Sequence, residues 1–194
     1  MTYRPDFIDN AKDNTLAKAI NAHLAELESR KTPVDQLSIA TAYFRPQGLA
    51  MLHESLKKLK HMRLLIGAEP LPAGSETEML PGEGTDFETF RRERAREAAE
   101  ELLSRLKRDR DKLPFSKKAR QDIERFVEFL NSKVIETRQV RDRFLHAKVY
   151  LFEGKDGGAI AGSSNLTPSG LRGSDELNLG VYEGPLPDLS LIHI

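Results

Sequence analysis

The sequence predicts an α/β domain: a mixed β-sheet flanked by helices, with a charged helical insertion in the middle. Three observations predict it. Two short apolar runs, residues 37–44 (LSIATAYF) and 62–68 (MRLLIGA), enclose a segment with apolar residues at helical spacing. Strand, helix and strand with short links form the crossover unit of a parallel or mixed sheet. A densely charged stretch then breaks the rhythm, and apolar runs joined by a glycine-rich link resume after residue 134.

In chain order, Asn14 or Thr15 can cap a first helix with Leu16, Ile20, Leu24 and Leu27 on one face. The run 37–44 lies between Pro33 and Pro46 and is apolar throughout, as a buried strand is. Residues 48–60 place Leu49, Leu52, Leu56 and Leu59 at helical spacing, and 62–68 is a second buried strand. Residues 69–85 hold Pro70, Pro72, Pro81, Gly74, Gly82 and Gly84 and predict a loop. From 86 to 112 the chain carries Arg91, Arg92, Arg94, Arg96 and the run 105–110 among interleaved acids. That interleaving favours a solvated helix with Arg–Glu pairs over a phosphate-binding face. Pro114 stops it, and Ser116 can cap a further helix bearing Ile123, Phe126, Val127 and Leu130, so the insertion spans about 86–132. Strands follow at 134–140, 147–152, 159–161 and 177–182, with a glycine-rich hairpin link over 153–158. No internal repeat is present.

Composition bounds the rest. The chain has 194 residues, 39% hydrophobic and 31% charged, with thirty basic and thirty acidic side chains. One domain over residues 1–194 with a real core is expected. The zero balance argues against a general nucleic-acid sponge but leaves room for a local basic cleft. There is no cysteine, so disulfides and thiolate metal sites are excluded. The first ten residues lack the apolar centre of a signal peptide, and no apolar run approaches the roughly 18 residues that cross a bilayer. A soluble, cytoplasmic protein without a membrane partner is expected. Pro185 and Pro187 lead into Leu189, Leu191, Ile192 and Ile194, a tail that points to a fragment of a longer polypeptide.

The chemistry-bearing residues are His146 and Lys148, then Ser163 and Asn165 in Gly-Ser-Ser-Asn, then Glu176. An imidazole can attack phosphorus or act as a base, while an ammonium and small polar donors stabilise charge on phosphoryl oxygens. On a strand, His146 and Lys148 would share one face. If 147–152 and 159–161 pair as a hairpin, Ser163 and Asn165 come near the level of His146. Glu176 could then accept from the second ring nitrogen of His146 and fix its tautomer. Taken singly, His-x-Lys or Gly-Ser-x-Asn would mean little; their order, with a hairpin between, carries the signal.

At these residues the sequence resembles the phospholipase D superfamily, whose signature is His-x-Lys, four residues, Asp, then Gly-Ser-x-Asn. The segment 163–171 is similar to the version in phospholipase D-like domains fused ahead of bacterial helicases. The resemblance implies a phospholipase D-like fold and a phosphodiesterase that needs no metal or cofactor. It implies His146 as the nucleophile forming a phosphohistidine, Lys148, Ser163 and Asn165 as phosphate ligands, and Glu176 as the residue orienting His146. The motif's Asp position is filled by Glu153, with Asp156 as an alternative counterpart.

A complete site uses two histidines, and His23, His53, His61 and His193 have no lysine two residues on. The second half is expected from a homodimer about a two-fold axis, or from polypeptide beyond Ile194. The leading expectation is a nuclease-like module acting on nucleic acid within a helicase or restriction/defence protein. The alternative is a catalytically inactive nucleic-acid-binding and dimerisation module; a lipid phospholipase ranks third, for want of a membrane signal.

Overall fold

The computed structural model describes residues 3–67, 134–141 and 144–182, with separate positions between 86 and 132. Its elements are β1 (Phe7–Ile8), α1 (Leu16–Ser29), β2 (Gln36–Thr41), α2 (Pro46–Leu56), β3 (His61–Ile66), β4 (Ile135–Gln139), β5 (Lys148–Glu153), β6 (Gly158–Gly162) and β7 (Asn178–Val181). They form one seven-stranded sheet in the order β1-β7-β6-β5-β2-β3-β4. β2, β3 and β4 run parallel, whereas β5, β6, β7 and β1 pair antiparallel onto the other side of β2. The sheet is therefore mixed, as the alternation of apolar runs predicts.

Alternation along the strands builds the core. Leu37 and Ile39 of β2 sit beside Met62 and Leu64 of β3 and beside Phe152 and Tyr150 of β5. These side chains join one apolar cluster with Leu16, Ile20, Leu24 and Leu27 of α1 and Leu49, Leu52 and Leu56 of α2. The predicted helical faces are thus the faces that pack. Thr15 caps α1, its side chain accepting from the Lys18 N–H at 3.3 Å. α2 begins at Pro46, two residues before the predicted start, because proline suits the first turn, where its missing N–H has no helical partner. β4 is mostly exposed and bears Glu136 and Arg138, a charged edge that resists further strand addition.

β2 and β3 end sooner than their apolar runs predict, whereas β5 and β6 run on to Glu153 and Gly162. β2 stops at Thr41, after which Phe44 makes an isolated parallel bridge to Leu166. The expected strand 147–152 starts one residue later, at Lys148, whose partner is the last residue of β2. Beyond that point β2 has turned away and offers no ladder for His146 to join. β1 and the π-helical turn Ser169–Gly173 are unpredicted. The described positions at 88–90, 92–93, 95–97, 100, 104 and 108 are helical, and Arg92 pairs with Glu88 at 2.8 Å. The loop over 69–85 and the tail 183–194 lie outside the described residues, as do Ile123, Phe126, Val127 and Leu130 of the helix expected after Ser116, while positions 128, 129 and 131 are helical. Among the described residues, no helix is long and apolar enough to cross a membrane.

The far side of β7 is unusual: Leu177, Leu179 and Val181 are each half or more exposed, and so is Phe7, which pairs with Leu179.

His23 of α1 is a packing residue. Its ring is fully buried and meets Phe152 edge-on at 4.7 Å and Tyr182 at 5.0 Å. Neither ring nitrogen has a hydrogen-bond partner, so the imidazole must stay neutral. Burial, helped by Arg4 and Arg30 against an opposing Glu26, lowers its pKa from 6.5 to about 4. The unfolded chain takes up this proton below about pH 6.5, whereas the folded chain waits until about pH 4. The associated stability is complete above the upper value and is lost as the pH falls through that window, about 3 kcal/mol in all. Urea unfolding at pH 7.5 and 4.5 should therefore show a loss in the wild type that is smaller by about that amount in His23→Leu. Equal losses in both proteins would exclude this role.

Candidate active site

The candidate residues gather at the carboxyl ends of parallel β2 and β3, where ligands bind in open α/β sheets. β5 begins there and β6 ends there, which brings the His-x-Lys and Gly-Ser-x-Asn segments to one end of the sheet.

Lys148 opens β5 opposite Thr41 and is only 6% exposed. Its Nζ turns back to donate to the His146 carbonyl oxygen at 3.2 Å. His146 itself lies in the irregular lead-in 144–147 and is exposed. The expected arrangement on one strand face is therefore corrected: the two residues are tied through a backbone carbonyl. Gly67, at the end of β3, admits this lead-in. A Cβ there would stand 2.2 Å from the Leu145 carbonyl oxygen, so only glycine lets the segment before His146 approach so closely.

The loop 163–166 is held from two directions. On the β7 side, Ser163 N–H donates to the Leu177 carbonyl at 2.9 Å, and the Ser163 hydroxyl accepts from Leu177 N–H at 2.9 Å. That hydroxyl donates in turn to the Glu176 carboxylate. Ser164 is fully buried, and the Asn178 carboxamide engages it twice. Asn178 Oδ1 accepts from Ser164 N–H at 3.2 Å, and Nδ2 donates to the Ser164 hydroxyl at 2.8 Å. The Tyr150 hydroxyl donates to the Ser164 carbonyl at 3.1 Å. Burial, reinforced by the nearby Glu176 charge, pushes the Tyr150 pKa far up, which keeps this phenol a neutral donor.

On the β2 side, Asn165 Oδ1 accepts from Tyr43 N–H at 2.8 Å and lies 3.3 Å from the Thr41 hydroxyl. Leu166 N–H donates to that hydroxyl at 3.0 Å, and the Leu166 carbonyl accepts from Arg45 N–H at 3.0 Å. Below the loop, Asn10 ties the π-helical turn to the start of α1. Its Nδ2 donates to the Gly170 and Ser174 carbonyls, and its Oδ1 accepts from Leu16 N–H.

Lys148, Ser163 and Asn165 thus stand on adjoining segments, with Glu176 against Ser163 and His146 beside Lys148. Ser163 engages Oε2 of Glu176. Glu153 belongs to the far end of β5, where its carboxylate accepts from Gln36 and Ser38. Sequence reasoning missed Thr41, Tyr150 and Asn178, which touch the loop across strands. His53 packs edge-on against Phe129 at 6.3 Å.

A mixed sheet with this His-x-Lys and Gly-Ser-x-Asn arrangement at its strand ends defines a phospholipase D-like domain, from a superfamily of phosphodiester hydrolases and transferases. The family model described as "Cardiolipin synthase, PLD-like domain" matches residues 24–188, and the chain belongs to that family. Among solved structures, phosphatidylserine synthase of Haemophilus influenzae Rd KW20 is 18% identical with a TM-score of 0.49. That match covers 95% of this chain and 35% of the synthase, so the chain spans about a third of its length. Polyphosphate kinase from Porphyromonas gingivalis is 9% identical with a TM-score of 0.41, covering 85% of this chain and 18% of the kinase. No curated protein matches the chain.

The close fit of α2 against the loop generates a test. Gly48 lies inside this helix, where alanine normally stabilises by about 1 kcal/mol. Here a Cβ would meet the Leu166 carbonyl oxygen at 2.7 Å and Thr167 Cα at 2.9 Å, both backbone atoms. Gly48→Ala should therefore lower stability in urea unfolding by about 1 kcal/mol or more. A gain in stability would show that loop and helix are not in contact.

Proposed function

We propose that this domain is a metal-independent phosphodiesterase acting on nucleic acid through a phosphohistidine at His146. One observation carries the reading. The ammonium of the buried Lys148 donates to the backbone carbonyl of the exposed His146, at the sheet end where Ser163 and Asn165 also lie. An ammonium and small polar donors at one strand end can stabilise the charge on phosphoryl oxygens, and an imidazole there can attack the phosphorus.

In the proposed step an imidazole nitrogen of His146 attacks phosphorus and a P–N bond forms. The P–O ester bond breaks with its electron pair leaving on oxygen. A second imidazole protonates that oxygen. Water then attacks the phosphorus, giving up its proton to that second imidazole, now a base, and the P–N bond breaks to restore His146. Lys148, Ser163 and Asn165 hold the phosphoryl oxygens, and Glu176 orients His146. The second imidazole comes from another copy of the chain about a two-fold axis, or from polypeptide beyond Ile194. Nucleic acid as substrate, and a place in a helicase or restriction/defence protein, rest on the resemblance read in the sequence of residues 163–171 alone.

A second reading, a lipid phosphodiester as substrate, has its own support. The family model is named for cardiolipin synthase, and the apolar side chains of Phe7, Leu177, Leu179 and Val181 are exposed along β1, β7 and the lead-in to β7.

The test is turnover of bis(p-nitrophenyl) phosphate, single-stranded DNA and phospholipid vesicles by the wild type and His146→Ala. The proposal expects DNA cleavage reduced at least about 10³-fold by the substitution, with an acid-labile phosphoryl group trapped on the wild type alone. Hydrolysis of vesicles but not DNA would move the assignment to the lipid reading. DNA binding without turnover would leave a non-catalytic binding module, and activity undiminished in His146→Ala would refute the mechanism.

A further inference from the structure

We infer that Thr41 is a positioning residue of the candidate site: its buried hydroxyl pins the 163–166 loop and the Tyr43 backbone to the end of β2, and so holds the Tyr43 N–H that turns the Asn165 amide nitrogen outward for a ligand. The inference deepens the reading above and rests on it for the role of Asn165 as a phosphate ligand.

Thr41 is the last residue of β2, fully buried, paired with Lys148 on one side and Ile66 on the other. Three polar groups surround its Oγ1: the Tyr43 carbonyl at 2.6 Å, Leu166 N–H at 3.0 Å and Asn165 Oδ1 at 3.3 Å. A hydroxyl carries one hydrogen. The shortest contact takes it, so Thr41 donates to Tyr43 and accepts from Leu166. The Asn165 carboxamide is then oriented by the backbone. Only an oxygen can accept from Tyr43 N–H, at 2.8 Å, so Oδ1 faces β2 and Nδ2 faces away. Among the described residues Nδ2 has no partner, which leaves both of its hydrogens for an anion. One strand-end residue therefore aligns two phosphate-binding groups: it sits beside Lys148 through the sheet register and beside Asn165 through the loop.

The side chain that performs this must be a hydroxyl. Valine has nearly the same shape but can neither donate to Tyr43 nor accept from Leu166, so two backbone groups would lose their partner together. Serine keeps both bonds.

The experiment compares Thr41→Val and Thr41→Ser with the wild type by amide hydrogen exchange and by turnover of bis(p-nitrophenyl) phosphate. In Thr41→Val, the Leu166 amide, deprived of its acceptor, and the Tyr43 amide, whose Asn165 acceptor is held through the same loop, should exchange at least about tenfold faster while Phe152 and Ile160 keep their protection. Turnover should fall about tenfold or more through kcat, and Thr41→Ser should restore both readouts to within about threefold. Unchanged exchange at Tyr43 and Leu166 in the valine variant would overturn the inference, and so would a serine variant as impaired as valine. If Thr41→Val does not fold, Thr41→Cys, a weak donor and acceptor, must exchange faster at both amides than Thr41→Ser; equality overturns the inference. The exchange readout needs no substrate. Absent turnover with the predicted exchange pattern would therefore sink the proposed activity alone, and His146-dependent turnover with unaltered exchange would sink the role of Thr41 alone.

Discussion

Burial of the 163–166 loop is the constraint on which the site depends. A loop that dips into the interior must find a partner for each backbone group it takes out of water. Ser164, wholly buried, finds them in Asn178 and Tyr150; Leu166 finds them in Thr41 and Arg45. Those partners come from β7, β5, the end of β2 and the start of α2. The loop acquires its path only when the mixed sheet is assembled. Once assembled, the path places Ser163 and Asn165 at the sheet end where β5 begins with Lys148.

Two histidines show how environment divides one side-chain chemistry. His23 lies against Phe152 and Tyr182 with its ring nitrogens unpartnered, and burial drives it toward the neutral form. His146 stands in the open at the opposite end of β5, beside an ammonium that the fold has largely withdrawn from water. The first arrangement is a packing solution that costs proton affinity. The second leaves an imidazole accessible next to fixed positive charge, the combination that transfer of an anionic phosphoryl group calls for.

Much of this was legible in the sequence. The leucines of α1 and α2 repeat at helical spacing, and they are the residues that pack. The runs 37–44 and 62–68 are apolar because β2 and β3 lie inside the sheet. Strand ends were less legible, since a ladder stops when its neighbour turns away: nothing in Tyr43 or Phe44 announces that β2 leaves the sheet after Thr41. β1 was not legible, because two residues carry no period. Of the site, the residue types and the convergence of the two segments could be read from order and spacing. The tie between Lys148 and the His146 carbonyl could not. Nor could Thr41 and Asn178, whose roles arise across strands more than a hundred residues apart in the first case and through a side chain reaching over a neighbouring loop in the second.

The central claim is that Lys148, Asn165 and His146 face one phosphate-sized space. Crystals of the protein grown with tungstate, a phosphate mimic with a heavy atom, test it most directly. The account predicts the oxyanion within hydrogen-bonding distance of Lys148 Nζ and Asn165 Nδ2, with the His146 imidazole directed at tungsten. Tungstate bound elsewhere, or bound here with His146 turned away, would contradict it.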